Sequence, residues 1–149
     1  VLKGVDESTV GMVKGDAFAR ELGVELEKIE PGYARVSLRL RPDHLNFLGL
    51  VHGGVIFSLA DAGFAAASNS YGTRAVALHV SIDFLRPPGP GSRLTAEVRQ
   101  QGRAGKMGYY LMEVREEGGE TVARLAGWAY HTGKPLREDK GDGPPDPRS

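Results

Sequence analysis

The chain has 149 residues, and its 19 basic and 19 acidic side chains balance to a formal charge of zero. That length suits one domain with a substantial core, and the balance gives no electrostatic case for nucleic acid or an anionic membrane surface as a partner. Cysteine is absent, which excludes disulfides, zinc–thiolate centres and a thiol nucleophile.

In chain order, the first ten residues, V-L-K-G-V-D-E-S-T-V, hold an apolar run too short for a signal sequence. Residues 1–15 carry little pattern and are expected to be poorly ordered. Asp16 to Leu22 predicts a short helix, capped by Asp16 and stopped at Gly23. Val24 to Glu30 and Tyr33 to Leu40 read as two strands joined at Pro31-Gly32; in the second, Ala34, Val36, Leu38 and Leu40 alternate with Arg35, Ser37 and Arg39. A loop through Pro42, His44 and Asn46 leads into a long helix from about Gly53 to Ser70. Val76, Leu78, Val80, Ile82 and Phe84 then alternate as one strand until Arg86-Pro87-Pro88 ends it. Leu94, Ala96 and Val98 mark a further strand, Met107 to Arg115 another, and Thr121 to His131 the last, after a turn at Glu116 to Gly119. The domain is expected to span 16–132. The charged, proline-rich stretch 133–149 is expected to be disordered.

A helix that is apolar nearly all round must be buried, and no βα alternation supports a parallel sheet. The expected fold class is therefore α+β, an antiparallel sheet of five or six strands wrapped around one long central helix. No stretch approaches the ~18 uninterrupted apolar residues of a membrane span, so a soluble cytoplasmic protein is expected.

Asp61 is the one ionisable residue in V-I-F-S-L-A-D-A-G-F-A-A-A, residues 55–67. Its helical neighbours Phe57, Ser58, Phe64 and Ala65 offer no cation. An unpaired carboxylate there cannot easily stay solvated, and such groups gather at functional sites; a wet edge of the helix is the plainer alternative. Upstream, His52-Gly53-Gly54 opens the helix, where free backbone N–H groups suit an oxyanion. Gly53 and Asp61 are eight residues apart, about 12 Å along a helix axis. One copy of the helix cannot bring both to one carbonyl carbon. Two antiparallel copies related by a two-fold axis near Phe57 can, so a homodimer is expected.

The sequence His44-x-Asn46-x-x-Gly49-x-x-His52-Gly53-Gly54, followed by Leu59-Ala60-Asp61, resembles the hotdog-fold thioesterases of the PaaI type. The likeness runs on through Ile82-Asp83-Phe84-Leu85-Arg86-Pro87 and Thr121-Val122-Ala123, and covers Phe18 to Thr132. The resemblance implies a hotdog fold, dimers commonly paired into a homotetramer, and hydrolysis of acyl-CoA thioesters. Phenylacetyl-type aromatic acyl groups are the implied substrates. No cofactor is implied beyond coenzyme A as part of the substrate, and no metal site is expected.

The roles expected on that basis give Asp61 of one chain the work of general base or nucleophile. The Gly53 N–H of the other chain polarises the carbonyl, while Asn46 and His52 hold the loop and orient the carbonyl or water. Gly54 lets the thioester approach the backbone. Phe57 is a pocket-wall candidate together with Phe64, Trp128 and Tyr130, and Ser81 is a reserve candidate for positioning water. Arg86, Arg103 and Lys106 are the candidates for the CoA phosphates, although Gly102 to Lys106 imitates a phosphate loop only superficially. Plainer readings stand beside these: His52 as a helix cap, Asn46 as a turn residue, and His79, Ser81 and Asp83 as a solvated or subunit-contact face. Two alternative functions share the fold, an acyl-thioester dehydratase or hydratase and a non-enzymatic acyl-CoA sensor.

Overall fold

The computed structural model describes residues 4–137. Its central element is the helix that the apolar run demanded, and a single antiparallel sheet encloses it. Two short helices, α1 (Glu7–Lys14) and α2 (Ala17–Leu22), precede strands β1 (Glu25–Glu30) and β2 (Tyr33–Arg39). Helix α3 spans Gly53–Asn69, and β3 (Thr73–Phe84), β4 (Arg93–Ala104), β5 (Met107–Glu116) and β6 (Thr121–Pro135) follow. The strand order is β1-β2-β4-β5-β6-β3, so β1 and β3 are the two edges.

The alternation in β2 does what period-2 patterning requires. Ala34, Val36 and Leu38 are buried against α3, as are Ala96 and Val98 of the neighbouring β4. Gly63 sets the separation of helix and sheet: a β-carbon there would stand 2.9 Å from Val98 and 3.1 Å from Val36. The helix can lie so close only because Gly63 has no side chain. Leu59, Ala60, Phe64 and Ala67 complete the buried side of α3.

Several elements depart from the sequence reading. The first fifteen residues are not patternless, because Asp6 caps α1 by accepting from the Thr9 N–H at 2.8 Å. Val5 and Val10 from this segment enter the core. The missed signal was one cap and two apolar residues, too few for a periodicity count. β4 runs to Ala104, so Gly102 to Lys106 is no loop: Arg103 pairs with Gly108, and Gly105 and Lys106 make a tight hairpin turn. The apparently clean alternation of β3 is broken by a bulge between Ala77 and His79. Val80 and Ile82 pack on the core, whereas Val76 and Leu78 are 48% and 56% exposed.

The domain also extends past 132, since β6 continues to Pro135. The rest of the tail expected to be disordered lies, from 138 onward, outside the described residues. No helix among the described residues is long and apolar enough to cross a membrane.

Candidate active site

The segment before α3 is a small closed loop. Leu45 and Val51 form an isolated bridge, and Asn46 fills the loop between them. Its carboxamide oxygen accepts from the N–H groups of Leu48 at 2.9 Å and Leu50 at 3.2 Å. His44 lies buried beneath, its Nδ1 accepting from the Arg41 N–H at 3.0 Å. Burial, with the Arg41 charge adding to it, holds this imidazole below its ordinary pKa.

His52 is the helix N-cap. Its Nδ1 accepts from the Gly54 N–H at 3.3 Å, and its carbonyl accepts from the N–H groups of Val55 and Ile56. Among the described residues, the Gly53 N–H has no acceptor. It is therefore the orphan donor at the positive end of a 17-residue helix. The Phe84 ring, at the end of β3, covers the side of Gly53 where a side chain would stand.

Asp61 sits two turns further along α3, on a stripe with Gly54, Ser58 and Ala65 at helical spacing. It is exposed, which corrects the expectation that it cannot stay solvated: the plainer wet-edge alternative describes this chain. Even so, no hydrogen bond or ion pair within the described residues engages its carboxylate. Packing of protein around it raises its pKa above the ordinary aspartate value, and the nearby Asp16 carboxylate raises it further. Asp16 is the N-cap of α2. An open, unpaired carboxylate whose pKa is raised is a stronger base than an ordinary aspartate.

The remaining predicted residues are dispersed. Phe57 packs partly buried against the core between Gly53 and Asp61. Ser81 is exposed and paired with Ala126, on the side of β3 opposite Val80 and Ile82, so its own chain does not bring it to the start of α3. Arg86 is already engaged, 2.8 Å from Glu116 and 2.7 Å from Glu120. Arg103 and Lys106 are exposed on the β4–β5 hairpin, with the Lys106 ammonium over the Tyr130 ring. That hairpin lies toward the C-terminal end of α3, where Tyr71 bonds to Gln100 of β4.

Phe64, Trp128 and Tyr130 do not wall a cavity either. Phe64 is buried in the core against Tyr110, and Trp128 lies on the outer face of the sheet against Tyr109. An open volume lies instead between α1, α2, β1 and α3. Nothing in the sequence reading pointed there, because α1 itself had not been seen. A second buried histidine, His131, was also missed as a structural residue: its Nε2 meets the Tyr110 hydroxyl at 3.0 Å, a pairing of β5 and β6 across 21 residues that no local pattern announces.

A long central helix enclosed by one six-stranded antiparallel sheet defines the hotdog fold of thioester hydrolases. The family model of the thioesterase superfamily matches residues 48–123, and the chain belongs to that superfamily, within its PaaI type. It is 40% identical over 124 residues to the acyl-coenzyme A thioesterase PaaI of Escherichia coli K12, covering 82% of this chain and 87% of that one. The solved E. coli PaaI protein from the phenylacetic acid degradation operon superposes with a TM-score of 0.81 at 36% identity, over 85% of this chain and 91% of that one. The smu.793 protein of Streptococcus mutans UA159, solved bound to acetyl CoA, gives 0.72 at 27% identity, over 76% and 91%.

Proposed function

We propose that this protein hydrolyses acyl-CoA thioesters to a free acid and coenzyme A, in sites built from two chains. The observation that carries the reading is the pairing of a free Gly53 N–H with an unpartnered Asp61 on the open side of the same helix. Their separation of about 12 Å along α3 keeps them apart within one chain. An antiparallel second copy brings Gly53 of one chain to Asp61 of the other, twice over. The exposed apolar edge of β3, with Val76 and Leu78, and the fully open Phe47 (96% exposed) beside the site are surfaces such a partner would cover. Two such dimers would join as a homotetramer through the outer face of the sheet, where Leu111 and Trp128 are exposed.

In the reaction, the thioester carbonyl accepts from the Gly53 N–H at the positive end of α3. Asp61 of the opposing chain removes a proton from water as the water oxygen attacks the carbonyl carbon. The tetrahedral oxyanion collapses, the carbon–sulfur bond breaks, and the CoA thiolate leaves. Direct attack by the Asp61 carboxylate, giving an anhydride that water then opens, is the second route to the same products. Asn46 and His52 hold the loop and cap that keep the Gly53 amide free. Phenylacetyl-type acyl groups are the proposed substrates, by likeness to the protein of the phenylacetic acid degradation operon.

The test is release of free thiol from acetyl-, phenylacetyl- and octanoyl-CoA, with an enoyl-CoA assayed for hydration alongside. Thiol release supports the hydrolase. Loss of the double bond without thiol release supports a hydratase instead, and binding without turnover supports a sensor.

A further inference from the structure

The space between α1, α2, β1 and α3 has a volume of about 570 Å3, within the size range of small-molecule sites. Its walls are mainly aliphatic, with Met12 and Val13 from α1, Leu26 from β1, and Ala62 and Ala65 from α3, and the charged side chains of Lys14 and Arg20 stand among them. No aromatic ring lines it. It is also adjacent to the proposed base. Ala62 follows Asp61 directly in the chain, and Asp16, whose charge reaches Asp61, lines the same space.

We propose that this cavity receives the apolar arm of the acyl group, and that Met12 and Ala65, on separate walls, set the length and bulk of the arm it accepts. The inference rests on the acyl-CoA hydrolase reading and assigns α1 and α2 a role in choosing the substrate. An aliphatic wall rewards any uncharged arm by the apolar area it removes from water, so the shared chemistry is an apolar arm, linear or aromatic. Each methylene buried raises affinity by about fourfold. Ala65 is exposed and Met12 is 38% exposed, so larger side chains at either place fill the cavity without disturbing the core.

The experiment is calorimetric binding of acetyl-, octanoyl- and phenylacetyl-CoA to full-length Asp61→Asn protein, which holds the esters without turnover. The same titrations are repeated with Ala65→Phe or Met12→Trp added. The expected result is an affinity gain from acetyl to octanoyl that falls at least tenfold in each filled variant. The phenylacetyl gain reports separately whether an aromatic arm uses the same space. Gains that survive both fillings unchanged overturn the assignment. Absence of thiol release by wild type from all three esters overturns the hydrolase reading instead, and leaves the binding gains to decide the cavity by themselves.

Discussion

A β-carbon on Gly53 would stand 3.1 Å from the Phe84 ring, so the last side chain of β3 lies flush against the open start of α3. This contact joins the edge strand to the one amide in the first turn that has no acceptor. It makes Gly53 a place where a single methyl group separates function from fold.

Gly53→Ala should leave stability within about 1 kcal/mol of wild type. The Phe84 ring is 54% exposed and can shift by the few tenths of an ångström required, while alanine gains roughly 0.5–1 kcal/mol over glycine in a helix. Turnover should nevertheless fall about tenfold or more, because the methyl and the displaced ring crowd the donor that the oxyanion needs. Urea denaturation beside thiol-release kinetics measures both. Loss of stability and activity in equal proportion would show that Gly53 serves packing alone.

Asp61 gives the pH dependence its sign. A base must be ionised to act, and the protein packed around Asp61, followed by the Asp16 charge, raises this carboxyl above its ordinary value. Activity should therefore fall with decreasing pH at a midpoint above that of an ordinary aspartate, and Asp61→Asn should reduce turnover by orders of magnitude at every pH. For stability, a raised folded-state pKa means that the contribution of this group is fully present below the unfolded pKa and is lost as pH rises through the folded one. Asp61→Asn should then be at least as stable as wild type at neutral pH, with any advantage disappearing in acid. Because the position is exposed, the gain is small. Asp16→Asn keeps the cap of α2, since asparagine caps as well as aspartate, yet removes a charge. It should move the acid limb of the rate profile modestly to lower pH. A profile identical to wild type would show that the Asp16 charge does not reach the titrating base.

The residues that were legible in the sequence are those whose signals are local. Gly53 to Asn69 announced a helix by an apolar run longer than a strand, Asp16 and Gly23 announced the ends of α2, and β2 announced its inward face by strict alternation. The His52-Gly53-Gly54 start and the lone Asp61 were visible for the same reason. What stayed hidden depends on partners far along the chain. Arg86 reads as a free cation until Glu116 and Glu120 arrive from the β5–β6 hairpin. The bulge between Ala77 and His79 turns a regular pattern into two exposed apolar residues. The cavity could not be foreseen, because it requires α1, whose eight residues carry a cap and little periodicity.

Asn46 separates holding the loop from handling the substrate. Its oxygen accepts from the N–H groups of Leu48 and Leu50, which leaves its NH2 group free to donate outward. Asn46→Asp keeps both accepted bonds and replaces the free donor with an acceptor. It should fold with near wild-type stability while losing turnover about a hundredfold, because a second carboxylate then faces the carbonyl oxygen. Asn46→Ala removes the two bonds and should cost about 1 kcal/mol. Equal turnover in Asn46→Asp and wild type, measured beside thermal unfolding, would reduce Asn46 to a turn residue.

Mixing two inactive chains tests the shared site most directly. In a homodimer of Asp61→Asn protein both sites lack the carboxylate, and in a homodimer of a Gly53→Val variant both lack an accessible amide. When the two are co-expressed and one of each combine, the intact Gly53 of the first chain meets the intact Asp61 of the second. One complete site forms, and the other carries both lesions. With random pairing half the dimers are mixed, so the preparation should recover roughly a quarter of wild-type turnover from two parents that have almost none. Recovery should rise further if differential tags select the mixed species alone. If each site were built within one chain, every mixed dimer would hold one site with each lesion, and turnover would stay at the parental level. Thiol release from the tagged heterodimer therefore distinguishes the two architectures independently of which acyl group is the preferred substrate.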